Sequence, residues 1–310
     1  MSTLSATATQ GTTESSVIGE IVELAKGASV ELNSQDVKHL DESRAFLEPG
    51  TRMYVSHLPN QTWIETRKMC EAVRRCGLEP IPHIPVRLIE SAEALDRLLG
   101  DLAGVAKPKE VLLISGDYPV ARGPYTRTEQ AIGDAILEKR GYGRLSVAGH
   151  PEGHPKVELS EVRRSEKDKS QLAAEHGLEV TILTQFLFEH EPFLNWAANL
   201  RAQGVKARLV CGVAGPAKVT TLFRYAVRCG VGASIRALGV RGGALLNMLG
   251  DQGPDRMMRS LAEARIAGCR DFDGIHMFGF GGYLRTVKWL AQVRAGSITL
   301  KPSGGFELQA

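Results

Sequence analysis

Along the chain, short apolar runs rich in β-branched residues alternate with longer stretches whose apolar positions recur every three or four residues. The first pattern predicts parallel strands covered on both faces, and the second predicts amphipathic helices. Eight strand runs stand out: Ala28–Leu32, Arg52–Ser56, Glu79–Ile84, Glu110–Ile114, Arg144–Ala148, Glu179–Gln185, Ala207–Gly212 and Gly274–Phe278. Most are separated by helical patterns such as "TWIETRKMCEAVRRCG" and "EPFLNWAANLRAQG", each closing on the glycine that commonly follows a helix. Strand–helix alternation predicts an α/β fold with a parallel sheet, and eight strands predict its closure into a (β/α)8 TIM barrel. A doubly wound dinucleotide fold would place a glycine-rich turn after the first strand, where this chain has "ELNSQD". The interval Val219–Gly250 is the least regular and has room for an additional helix. No tandem repeat or linker interrupts the pattern, so residues 21–310 are expected to form one barrel domain. Residues 1–20 are Ser/Thr-rich and lack both the basic start and the apolar core of a signal; they read as a disordered leader.

Composition narrows the function classes. An apolar fraction of 43% in 310 residues suits a folded chain with a large core, and a net charge of +3 gives no footprint for nucleic acid or a membrane surface. No apolar run reaches the roughly 18 residues of a membrane span. The five cysteines (70, 76, 211, 229 and 269) are dispersed and form no CxxC pair, a usage that predicts reduced thiols and a cytoplasmic location. Barrels of this size often pair, so a homodimer is expected.

In a parallel barrel the chemistry collects where strands end. Here the strand ends, in order, bring Glu31, His57, His83, Asp117, His150 and Gln185. Any one of the histidines alone would read as a packing residue. Asp117 raises a sharper question, because "VLLISGDYP" sets a carboxylate directly after a strand that is apolar on both sides. Such a charge is costly there unless it is solvated or has a task. His150 and His154 in "HPEGHP" have a metal-like spacing, but two prolines break any shared helical face and no Cys or carboxylate cluster completes a site. Ser115 and Cys211 lack the elbow of an activated nucleophile. "MFGFGGYLRTVKWL" offers backbone amides to a phosphate or simply turns the last strand tightly into its helix.

"SVEL", "PHIPV", "SGDYP", "GHPEGHP" and "TILTQFLFE" occur in the order and near the spacings of the methylenetetrahydrofolate reductase family, which this chain resembles from about Glu31 to Ala291. The resemblance implies a (β/α)8 barrel that binds FAD and interconverts 5,10-methylenetetrahydrofolate and 5-methyltetrahydrofolate, with NAD(P)H as electron donor or acceptor. It implies that Glu31 is the general acid, that Asp117 stabilises a cation electrostatically, and that Gln185, Asp117 and Phe280 contact the folate. It places His57, His83, Ser115, Gly116, Asp117, Tyr125, His150 and His154 against the flavin and Lys169 on its phosphate. The chain departs from the family pattern in four places. "LNSQD" replaces an aromatic-and-proline run, Ser115 stands for an arginine before Gly-Asp, Val219 lies where some members stack an aromatic ring, and "GFGG" replaces a segment that often carries an arginine. Two other readings remain open: a flavin-free folate oxidoreductase using a nicotinamide directly, and a non-catalytic folate or flavin binder.

Overall fold

The computed structural model describes residues 13–229, 251–280 and 282–309. Eight parallel strands, here β1 to β8, close on themselves in chain order: Ser29–Leu32, Arg52–Val55, Glu79–Pro85, Glu110–Ile114, Arg144–Gly149, Glu179–Leu187, Arg208–Ala214 and Gly274–Phe278. Closure is made by β1 against β8, with Ser29 beside His276 and Val30 beside Met277. All eight sequence runs are therefore barrel strands, several shifted or extended by one or two residues.

Helices return the chain outside the barrel, and their starts follow from local chemistry. Thr62 and Glu65 form a reciprocal capping box at the helix Trp63–Arg75, and the Ser91 hydroxyl accepts from the Ala94 amide at Ala92–Val105. Their buried faces (Met69, Cys70 and Val73; Leu95, Leu98, Leu99 and Leu102) join one core with the outward faces of the strands. The first helix begins earlier than the leader was expected to end. Thr13 caps Glu14–Lys26, and Val17, Ile21 and Leu24 bury its apolar stripe, so residues 14–20 are helical; residues 1–12 lie outside the described residues. Val219–Cys229 is helical, and the rest of the irregular interval, residues 230–250, lies outside the described residues. No described helix is long and apolar enough to cross a membrane.

Inside the barrel, Tyr54, Ile81, Leu112, Leu183 and Val210 form a layer contributed by alternate positions of five strands. Below it, toward the strand starts, Arg52 donates to both carboxylate oxygens of Glu110 at 2.8 Å. Above it opens the mouth.

Candidate functional site

The mouth is built by the last inward residue of each strand and the turn after it. Glu31 is the last inward side chain of β1 and is 23% exposed. It accepts a short hydrogen bond from the Ser56 hydroxyl at the end of β2, and its other oxygen lies 3.7 Å from Nε2 of His276 on β8. His276 is fully buried and its Nδ1 is 2.9 Å from the Ser29 hydroxyl. Burial works to raise the Glu31 pKa. The contacts with His276, the nearby imidazole of His83 and the Ser56 hydroxyl outweigh it, so the carboxyl is held below its ordinary value. The neighbours therefore favour the carboxylate over the protonated acid.

The histidines around it are neutral. His83, on β3, is pushed down to about 4 by burial, with Glu31 pulling the other way and His276 adding to the fall. His57 falls to about 4, mainly through burial and then through His83; its ring stacks on Trp63 at 4.0 Å and its Nδ1 is held by the Thr66 hydroxyl at 2.8 Å. His150 falls to about 3 through burial and the neighbouring Lys169.

Asp117 follows β4 and is exposed, so its charge is solvated at the rim rather than buried behind the strand. The preceding Gly116 has φ +84°, and a Cβ there would stand 2.9 Å from the Tyr118 ring and 3.0 Å from Pro85, so only glycine makes this turn. Across from it lies His154. Burial lowers the pKa of His154, and the Asp117 carboxylate opposes that fall. The turn carrying His150 and His154 is clamped from behind. Glu166 accepts from the His150 amide (2.7 Å), the Trp196 indole (2.9 Å) and Arg163 (3.0 Å), and Arg163 also donates to the His150 and Pro151 carbonyls.

Gln185 lies in a bulge near the C-terminal end of β6. Leu183 pairs with Val210 but Phe186 pairs with Gly212, so three steps on β6 oppose two on β7. The Thr184 hydroxyl accepts the Gly212 amide and donates to the Gln185 carbonyl, both at 2.8 Å, which fixes the extra residue. The Gln185 Nε2 is buried without a hydrogen-bond partner, as are Nε2 of His83 and of His276. Buried polar atoms left without a hydrogen-bond partner are uncommon in a folded protein and call for an explanation such as a polar ligand. Phe280, in the turn after β8, belongs to an aromatic wall, stacked on Tyr225 at 4.2 Å and on Phe278 at 5.3 Å, with its ring edge-on to Phe186.

Three expected cofactor positions have their polar atoms engaged within the protein. The Ser115 hydroxyl is 3.3 Å from that of Thr128; Tyr125 is buried in the main core with its hydroxyl donating to Asp134; and Lys169 is buried with Nζ on the Ala148 carbonyl at 3.3 Å. Arg87 donates to the carbonyls of Tyr118 and Thr126 and so ties down the loop between Ser115 and Thr126 that carries Asp117. Conversely, the sequence reading missed His276, Ser56 and Ser29. The signal for His276 was its place in "GIHMF", where alternation sets Gly274, His276 and Phe278 on the inner face. Two hollows of about 490 and 540 Å³ lie on the outside of the barrel and are lined by none of these residues.

With this geometry in place, the sequence pattern of the family described as methylenetetrahydrofolate reductase matches residues 60–235, more than half of the chain. The chain belongs to that family. The match takes in His83, Asp117, His150, His154 and Gln185, whereas Glu31, His276 and Phe280 of this methylenetetrahydrofolate reductase family member lie outside it and join the site through barrel closure. Among solved structures the chain is similar to the dihydropteroate synthase of Thermus thermophilus, at 14% identity over 86% of this chain and 92% of that one, with a TM-score of 0.46.

Proposed function

We propose that the protein is an oxidoreductase that interconverts 5,10-methylenetetrahydrofolate and 5-methyltetrahydrofolate by hydride transfer through FAD, with NAD(P)H as the outer electron donor or acceptor. The observation that carries this reading is that the closed parallel barrel sets two carboxylates and an unpaired amide, Glu31, Asp117 and Gln185, at or just after the C-terminal ends of its strands. Each suits one part of the folate chemistry. The Gln185 side chain can donate to and accept from the flat, amide-like edge of a pterin, and its buried, unpaired Nε2 gives that bond a strong claim on affinity. Oxidation of the methyl group leaves an iminium cation, which the Asp117 carboxylate at the rim stabilises. Ring closure then frees a proton from the attacking folate nitrogen. Glu31, favoured as a carboxylate by its neighbours, accepts it; in the reverse direction the same group returns the proton as ring opening begins.

The ring-bearing end of a flavin fits the residues here. The buried Nε2 of His83 has no hydrogen-bond partner in the protein, and His154, edge-on to His150, feels the Asp117 carboxylate; these are groups a flavin ring could engage. Bound there, the flavin would accept or give the hydride, while Asp117, His83 and His154 hold it in place. Lys169 would serve a phosphate only by leaving the Ala148 carbonyl.

That last feature, with the engaged Ser115 hydroxyl and the core position of Tyr125, supports a second reading in which a nicotinamide delivers the hydride directly. The visible spectrum of the purified protein, before and after anaerobic addition of 5-methyltetrahydrofolate, separates the two. Flavin bands that bleach support the first; a colourless protein that stays colourless with added FAD, yet turns over with NAD(P)H, supports the second. For either, Glu31→Gln should keep folate binding and lose about 10²–10⁴-fold in turnover. Undiminished turnover in that variant would remove Glu31 from the chemistry.

A further inference from the structure

Beneath the mouth the barrel holds charge where folds of this kind ordinarily pack aliphatic layers. Arg52 on β2 grips Glu110 on β4 bidentately, and Ser146 on β5 also donates to Glu110. The Tyr54 hydroxyl accepts from Arg52 at 3.1 Å and lies 2.8 Å from the Ser146 hydroxyl. A buried ion pair of this kind gains little stability by itself, and Nε of Arg52 is left without a partner. Its geometric effect is on Tyr54. Strands β2 and β5 are three apart around the barrel, so a phenol from one that reaches a hydroxyl of the other crosses the interior. The upper side of that ring meets His276 edge-to-face, with centroids 4.8 Å apart and planes at 75°, and His83 at 6.0 Å and 70°. These two imidazoles are the ones that face Glu31.

We infer that Tyr54 is a positioning residue for the site: the Arg52–Glu110–Ser146 network fixes its ring across the barrel, and the ring sets the attitude of His276 and His83 and keeps water from reaching them from below. The inference rests on the reaction proposed above only through the role of Glu31. The groups that face this cluster are Ser29, Glu31 and, in the turn after β1, Asp36; Arg52, Tyr54 and Ser56 from β2; His83 from β3; and Arg208 at the start of β7, which acts on Tyr54.

Loss of the ring admits water to His276 and eases its protonation, and a charged His276 beside Glu31 lowers the pKa of that carboxyl further. The test compares Tyr54→Phe with Tyr54→Leu, and with Tyr54→Met as a second ringless variant should the leucine protein not fold. Two readouts are taken: ¹⁵N resonances of labelled histidine in the ligand-free protein against pH, and the pH limb of folate turnover governed by Glu31. Tyr54→Phe keeps the ring but frees it from Arg52 and Ser146, and should shift both readouts in the same direction by less than the ringless variants do. The ringless variants should raise the titration midpoint of His276 and move the limb about one pH unit lower, a tenfold change in proton affinity. Ringless variants that leave the His276 resonances in place overturn the inference, as does a phenylalanine variant that shifts as far as the leucine one. Should the protein show no folate turnover at all, the reaction proposed above fails, and the histidine resonances still decide the role of Tyr54.

Discussion

At Glu31 two opposing effects meet, since burial favours the acid and the His276, His83 and Ser56 contacts favour the carboxylate, and the contacts win. Asp117 is the simpler case, an exposed carboxylate whose removal disturbs nothing packed. Asp117→Asn should therefore change unfolding stability by less than about 0.5 kcal/mol. It should lower kcat/KM for the folate by roughly 10²-fold, the scale on which lost stabilisation of a developing charge acts. Denaturant titration and steady-state kinetics on one preparation check both halves. Activity equal to the wild type would leave the rim carboxylate without its electrostatic task. Asp117 was legible in the sequence because a charge follows a doubly apolar strand there. His276 was not, because one polar residue inside an apolar strand reads the same whether it packs or reacts, and its partner Glu31 lies 245 positions away.

Among the elements, β6 ties architecture to recognition most directly. Its bulge holds Gln185, and it survives because Gly212 lets the backbone of β7 come close: a Cβ at that position would stand 2.5 Å from the Thr184 carbonyl and 2.6 Å from that of Gln185. Backbone cannot move aside as a flexible side chain can. Gly212→Ala is thus expected to destabilise the protein by about 1–3 kcal/mol and to raise KM for the folate more than it lowers kcat. Gly104→Ala is the control. It lies exposed near the end of Ala92–Val105 with nothing near its would-be Cβ, and should stabilise by about 0.8–1 kcal/mol. A Gly212→Ala protein as stable as the wild type, with KM unchanged, would show that the bulge does not hold Gln185. At this scale the sequence was informative about strands, each framed by turn residues, and about the helix caps. It could not show the bulge, since alternation carries no record of an inserted residue. Nor could it show that Tyr125 is buried in the core, because the loop before it is held by Arg87 from the turn after β3.

The molecule as a whole carries a pH signature that no single element shows. His57 and His83 are held to about 4 and His150 to about 3, first by burial in each case, so all three are neutral in the fold at pH 5 to 7. In the unfolded chain each takes up a proton near pH 6.5. Below that pH the unfolded state binds more protons than the native state, so stability falls as pH falls, and the loss continues toward the folded values near 4 and 3. Each histidine can contribute at most about 1.4 kcal/mol per pH unit in this window, less where water screens its ring. Carboxylates such as Glu31, whose folded pKa is lowered, add to the loss only below about pH 5, so the interval from about pH 6.5 to about pH 5 isolates the histidines. Urea unfolding across that interval should show the free energy dropping by a few kcal/mol, a large share of the 5–15 kcal/mol typical of a folded domain. If it stays flat, these imidazoles take up protons in the native barrel as they do in the unfolded chain. Glu31 would then sit among cations, and the proton-accepting role derived for it would have to pass to another group.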